Sequence, residues 1–190
     1  MRVWLIRHGL TALGEAGKYQ GRLDGGLSER GRAQLKSAAW TPSRVWVSPA
    51  RRARETAAIL FPAAEQIMVP NLREMDFGAF EGRSWREMEN DAAYRAWVDG
   101  GCAGRCPGGE DRASFTARVN LALREILDAA EKAGEDAVIV AHGGTQMAAL
   151  ESRGEPGRDY WRWQTACGRG WLLERCGDTL RVVEEIAFTL

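Results

Sequence analysis

Apolar positions along the chain alternate between short continuous runs and longer stretches at helical spacing. Val3-Trp4-Leu5-Ile6 predicts a buried strand over 2–6, followed by a polar, glycine-rich loop from Gly9 to Gly26. Ser28 offers a hydroxyl N-cap for a helix running to about Trp40. Arg44-Val45-Trp46-Val47 predicts a second strand, ending at Ser48-Pro49, and Pro49 suits the first position of a helix. That helix, about Ala50 to Leu60, places Ala53, Ala57 and Leu60 on one face. Ile67-Met68-Val69 predicts a third strand.

From Asn71 to Gly109 the periodicity breaks into loops and short helices rich in glycine and charge. Long structured loops are often functional, so 71–109 is expected to be an insertion acting as a lid within a single domain over 1–190. Phe115, Val119, Ala122, Leu123, Ile126 and Leu127 recur at helical spacing and predict a long helix from about Ala113 to Ala133. Ala137–Ala141 is the continuous apolar run of a central parallel strand, and Gly143-Gly144 opens a helix to about Leu150. Trp171–Leu173 and Leu180–Val183 predict two final strands joined by a Gly177-Asp178 turn. Strands alternating with helices imply an α/β fold, a three-layer sandwich with a mostly parallel central sheet flanked by helices. Ligands of such sheets bind beyond the carboxyl ends of the strands.

Composition narrows the partners. The 26 basic and 26 acidic residues cancel, so no global field favours nucleic acid or a membrane, and an anion site must be a local cluster of arginine. No apolar run approaches the ~20 residues of a membrane helix. The N-terminus reads as a strand rather than a signal peptide, and the expected compartment is the cytoplasm, with Cys102, Cys106, Cys167 and Cys176 as reduced thiols. Cys102 and Cys106 have no further ligand nearby, so no metal and no cofactor is expected. The scattered tryptophans suit core and pocket packing better than a stacking platform for nucleic acid. Those of Trp161-Arg162-Trp163 can either pack a partner, allowing a homodimer, or line a pocket.

The chain has only two histidines, His8 and His142, and each follows a predicted strand and precedes a glycine. The bland reading is two satisfied loop histidines; the sharper one is a single site built from both. Arg7-His8-Gly9-Leu10-Thr11 supplies a permanent cation with a phosphate-matching fork of donors. Ser48-Pro49-Ala50-Arg51-Arg52-Ala53-Arg54 places arginines at a helix start, where free N–H groups favour an anion. Carboxylates lie in Leu72-Arg73-Glu74-Met75-Asp76-Phe77-Gly78-Ala79-Phe80-Glu81-Gly82, and Ala141-His142-Gly143-Gly144 adds a second helix start. These groups suit phosphoryl transfer without a metal. The reaction needs neutralisation of the phosphoryl oxygens, an in-line nucleophile and a proton for the leaving oxygen. A neutral imidazole held below its usual pKa by arginines can be the nucleophile, and a carboxylic acid of raised pKa can be the proton source.

Arg7-His8-Gly9-x-Thr11, Tyr19-Gln20-Gly21, Leu27-Ser28-Glu29-Arg30-Gly31, Ser48-Pro49-x-x-Arg52-Ala53-x-x-Thr56-Ala57, Glu74-Met75-Asp76-Phe77-Gly78 and Val140-Ala141-His142-Gly143-Gly144 occur in this order. Together they resemble the histidine phosphatase superfamily, also called phosphoglycerate mutase-like, over nearly the whole chain. The resemblance implies that His8 is the phosphorylated nucleophile, that Arg7, Arg52 and His142 hold the phosphoryl group, and that Glu74 donates the proton. It implies that Thr11, Gln20, Gly21 and the Gly143 amide line the pocket. Arg52 aligns with the family's arginine, leaving Arg51 and Arg54 as a solvated face; Asp76 and Glu81 are the rivals of Glu74. Two departures stand out: Leu10 where a glutamate is frequent, and Gly14 where an asparagine is frequent. The opening segment, the compact length and Pro107-Gly108-Gly109-Glu110 resemble most the short bacterial branch that includes α-ribazole phosphatase. The expected function is therefore hydrolysis of the phosphomonoester of a small phosphorylated metabolite, with α-ribazole 5′-phosphate one candidate. The alternatives are phosphoglycerate mutase activity and a non-catalytic, phosphate-binding scaffold.

Overall fold

Strand residues sort by parity onto the two faces of one sheet. In the first strand Val3 and Leu5 enter one apolar cluster and Ile6 the other; in the central strand Ala137, Ile139 and Ala141 oppose Val138 and Val140. This alternation leaves both faces needing a cover, and helices supply it. The structure is a computed structural model that describes residues 1–189. In chain order it contains β1 (Arg2–Arg7), α1 (Ala12–Glu15), α2 (Glu29–Gln34), β2 (Arg44–Val47), α3 (Arg51–Leu60), β3 (Glu65–Met68), α4 (Ala92–Asp99), α5 (Arg112–Ala133), β4 (Ala137–Ala141), α6 (Gly143–Leu150), β5 (Gly154–Glu155), β6 (Arg169–Cys176) and β7 (Thr179–Ala187). Single 3-10 turns occupy Pro70–Leu72, Gly78–Phe80 and Tyr160–Trp163.

The sheet order is β3-β2-β4-β1-β6-β7-β5. Pairings β3·β2, β2·β4, β4·β1 and β5·β7 are parallel, while β6 runs antiparallel to both β1 and β7. The α5 and α6 side chains cover one face and α3 the other, which makes the three layers. α5 starts where Asp111 accepts the Ser114 N–H at 2.8 Å and stops at Gly134, whose φ of 68° is left-handed. Among the described residues no helix is long and apolar enough to cross a membrane.

The structure departs from the sequence expectations in places. The helix capped by Ser28 ends at Gln34, not near Trp40. Leu35 turns extended to bury its side chain, pairs with Thr189, and is followed by Lys36 donating to the Phe188 carbonyl at 2.8 Å. Pro49 lies outside α3, which begins at Arg51 after Ala50. The third strand starts two residues early, at Glu65, and the last two strands extend well beyond their apolar centres. The edge strand β5 and the one-turn α1 within the 9–26 loop carry no apolar periodicity and were not expected.

Candidate active site

β1 and β4 pair in register, Arg7 opposite Ala141, so the residues that follow them emerge side by side. The His8 N–H donates to the Ala141 carbonyl at 2.9 Å, and the two imidazole rings meet edge-on with centroids 5.2 Å apart. Both histidines are buried. β2 lies on the other side of β4 and brings Ser48 alongside: its N–H donates to the Val140 carbonyl at 3.0 Å. His142 then caps α6 by backbone position without a side-chain bond to the helix.

His8 Nδ1 lies 2.7 Å from the Gly9 carbonyl oxygen. A carbonyl only accepts, so Nδ1 carries the proton and Nε2 keeps its lone pair. Burial, then the charges of Arg52 and Arg7, hold the His8 pKa well below its usual value, and His8 is a neutral imidazole at neutral pH. The same causes, burial first and then Arg52, keep His142 neutral.

Arg52 is fully buried on α3. Its Nε lies 3.3 Å from His8 Nε2, and its terminal nitrogens donate to the carbonyls of Gln20, Gly21 and Leu23, each at 3.1 Å. Arg51 and Arg54 are exposed. The start of α3 is not an open anion site, because Asp24 already accepts the Arg51 N–H at 2.6 Å. Arg7 donates to the Thr165 carbonyl at 2.6 Å while its Nε is buried without a partner among the described residues.

Glu74 reaches the start of α6. Its carboxylate accepts the Gly144 N–H at 3.0 Å and the Met75 N–H at 2.9 Å. A Cβ on residue 144 would overlap that carboxylate, which is why a glycine stands there. The rival carboxylates are committed elsewhere. Glu81 accepts the N–H groups of Gly21, Arg22, Leu23 and Phe77; Asp76 accepts from Gly78 and pairs with Arg22 at 3.3 Å.

A cavity of about 320 Å³ opens over these groups. Arg7, His8, Thr11, Gln20 and Glu74 are on its wall; Arg52 and His142 do not line it but lie against the His8 ring, Arg52 at Nε2 and His142 edge-on. Thr11 donates to Gln20 Oε1 at 2.7 Å. Gly21 and Gly143 lie off the wall: the Gly21 N–H is taken by Glu81, and the Gln164 side chain covers Gly143, so Gly144 lines the cavity instead. From 71–109 come Glu74, Met75, Phe77, Trp97 and Cys102. Tyr19, Tyr160 and Trp161 add aromatic surface, and Trp163 is buried in the core. Burial, then the charge of Glu74, raises the Tyr160 pKa, so its phenol stays neutral. Among the described residues no group of three or more His, Cys, Asp or Glu is placed to hold a metal ion.

One contributor was invisible to motif reasoning. Arg118 of α5 donates to the carbonyls of Asn71, Arg73 and Glu74 and pairs with Glu110 at 2.7 Å, fixing the segment that presents Glu74. Burial alone would raise the Glu110 carboxyl; its bonds from Arg118 and the Asp76 N–H outweigh that and hold it low. The available signal was a cation on the apolar face of α5, beside Phe115 and Val119.

The profile of the histidine phosphatase superfamily (branch 1) matches residues 3–184. The adenosylcobalamin/α-ribazole phosphatase of Salmonella typhimurium is 32% identical, with 98% of each chain covered. A metal-independent phosphoserine phosphatase of Arabidopsis thaliana is 31% identical over 76% of this chain and 65% of its own. The crystal structure of the α-ribazole phosphatase from Shigella flexneri superposes with a TM-score of 0.78 at 27% identity, covering 100% of this chain and 99% of that one.

Proposed function

The chain belongs to the histidine phosphatase superfamily, and from that premise we propose that it hydrolyses α-ribazole 5′-phosphate, or a closely similar aromatic riboside phosphate, through a phosphohistidine on His8. It is a phosphoric monoester hydrolase, and its reaction needs no metal. The observation that carries the mechanism is the His8 tautomer: Nδ1–H is committed to the Gly9 carbonyl, so Nε2 is the lone pair that attacks phosphorus. Arg52 lies 3.3 Å from that nitrogen, the His142 ring meets His8 edge-on and the charge of Arg7 reaches it; these groups offset the charge on the phosphoryl oxygens as the P–O bond to the leaving group lengthens. Glu74, the carboxyl group on the cavity wall, protonates the leaving oxygen. In the second half-reaction the same carboxylate takes a proton from water as water attacks the phosphohistidine, returning His8 to its neutral state.

Support for the substrate comes from the rest of the wall. Tyr19, Phe77, Trp97, Tyr160 and Trp161 line the cavity, which suits an aromatic base; among the described residues the one lysine on the wall, Lys18, is paired with Glu87 at 3.3 Å, which leaves it a weaker anchor for the carboxylate of a phosphoglycerate. A relative whose chain and this one cover each other almost end to end is an α-ribazole phosphatase. The cytoplasm is the compartment we propose, in keeping with a metabolite substrate.

Phosphate release in EDTA, across α-ribazole 5′-phosphate, an aryl phosphate, phosphoserine and phosphoglycerates, tests this reading. Preferred turnover of the riboside phosphate is expected, with both turnover and acid-labile protein phosphorylation lost in His8→Ala. Retained turnover in that variant removes His8 as nucleophile. A preference for phosphoglycerate without phosphate release would replace hydrolysis by mutase chemistry.

A further inference from the structure

Ser48 is fully buried at the end of β2, and its Oγ lies 2.7 Å from His142 Nε2. The hydroxyl oxygen already accepts a long bond from the Ala50 N–H at 3.4 Å. Among the described residues the hydroxyl proton has no acceptor within reach except His142 Nε2. On the other side of the ring, His142 Nδ1 is buried with no partner among the described residues. A hydroxyl that donates to Nε2 obliges Nδ1 to carry the ring proton.

Resting on the phosphatase reading above, we propose that Ser48 is a positioning residue whose hydroxyl fixes the Nδ1–H tautomer of His142 and so reserves that proton for a phosphoryl oxygen. Both histidines then hold the tautomer that is the minor one in water. In His8 this leaves Nε2 unprotonated, its lone pair facing the Arg52 Nε–H until substrate takes that place; in His142 it turns the ring into a hydrogen-bond donor that is neutral in charge. A buried donor with no protein partner is costly, and a phosphoryl oxygen satisfies it only while substrate or phosphoenzyme is present. The strand order makes the arrangement dependable, because Ser48 and His142 leave adjacent parallel strands and Ser48 is tied by its own N–H to the Val140 carbonyl.

Long-range proton–nitrogen NMR of histidine-labelled protein tests this directly, since the two imidazoles give only four ring nitrogens. The wild-type protein is expected to show Nδ1–H on both rings. Ser48→Ala is expected to move His142 to Nε2–H with His8 unchanged, and to lower kcat for phosphate release roughly 10–100-fold with a smaller change in KM. Ser48→Thr, which keeps the hydroxyl, restores the tautomer. Nε2–H on His142 in the wild-type protein overturns the proposal, and so does Ser48→Ala with an unchanged His142 spectrum or an unchanged kcat. If the alanine variant does not fold, the wild-type spectrum decides alone. None of these spectra depends on turnover, so failure here is distinguishable from failure of His8 as nucleophile.

Discussion

Glu81→Ala should cost stability and activity together, although Glu81 bonds to no atom of His8 and is not itself on the cavity wall. Its carboxylate gathers the N–H groups of Gly21 and Leu23 at 3.1 Å, Arg22 at 2.8 Å and Phe77 at 3.2 Å. The first three belong to the loop whose carbonyls hold Arg52. Bonds to a carboxylate are worth ~1.5–3 kcal/mol each when buried; these are partly exposed, so about 1 kcal/mol each is the fairer value. Four of them sum to roughly 3–4 kcal/mol, which for a chain of this size lowers Tm by roughly 10 °C. Glu81→Gln keeps one carbonyl oxygen and should fall between. Loss of the clamp also frees Arg52 to drift, and a displacement near 1 Å at such a group can lower turnover about 100-fold. The assay is thermal unfolding alongside kcat for an aryl phosphate and for an alkyl phosphate. With Arg52 in its proposed role at the phosphoryl group, Glu81→Ala should slow both substrates by similar factors. Glu74→Gln should slow the alkyl phosphate far more, since only the poor leaving group needs the proton. A Glu81→Ala protein that melts within about 2 °C of the parent refutes the clamp. One that spares the aryl phosphate would make Glu81 the acid instead.

Gly144→Ala should reduce kcat about 10–100-fold without unfolding the protein, because the added methyl pushes the Glu74 carboxylate off the α6 N–H; kinetics with an alkyl phosphate check it, and an unchanged kcat contradicts the packing. Gly14→Asn should fold normally and raise kcat/KM a few-fold, since a Cβ there meets only Thr11 Oγ1 at 3.2 Å and Leu10 Cδ1 at 3.5 Å, and an amide at the cavity edge adds a donor for phosphate; a fall in kcat/KM would count against it. Stability should decline as pH falls below about 6.5, because His8 and His142 stay neutral in the folded state while their unfolded counterparts bind protons. The slope reaches up to ~1.4 kcal/mol per pH unit for each histidine, and urea midpoints that stay flat between pH 6.5 and 5 would show that one or both rings protonate in place.

The phosphate end of the site is legible in the sequence because each part comes from a contiguous segment at the end of a strand. An apolar run followed by His-Gly specifies both the strand and the residue that leaves it, and parallel register does the rest for His8 and His142. Where the local pattern misled, the cause is a partner far along the chain. The helix after Ser28 stops because Leu35 pairs with Thr189, and the start of α3 is closed by Asp24 from a loop with no periodicity. Arg118 carried a signal, a guanidinium on an apolar helix face, but only the fold shows that it grips the Glu74 segment. The leaving-group end is different in kind. Tyr19 and Phe77 stand in motif blocks, Trp97 on α4 and Tyr160 in a 3-10 turn after β5, and no spacing between these segments encodes the convergence of their rings. Their rings would be equally at home in a core. Chemistry that depends on charge at fixed positions is therefore written locally, and recognition of the leaving group is written in how the loops pack. Substitutions around Tyr19, Phe77 and Tyr160 can thus change the substrate while the reaction proposed at His8 stays the same.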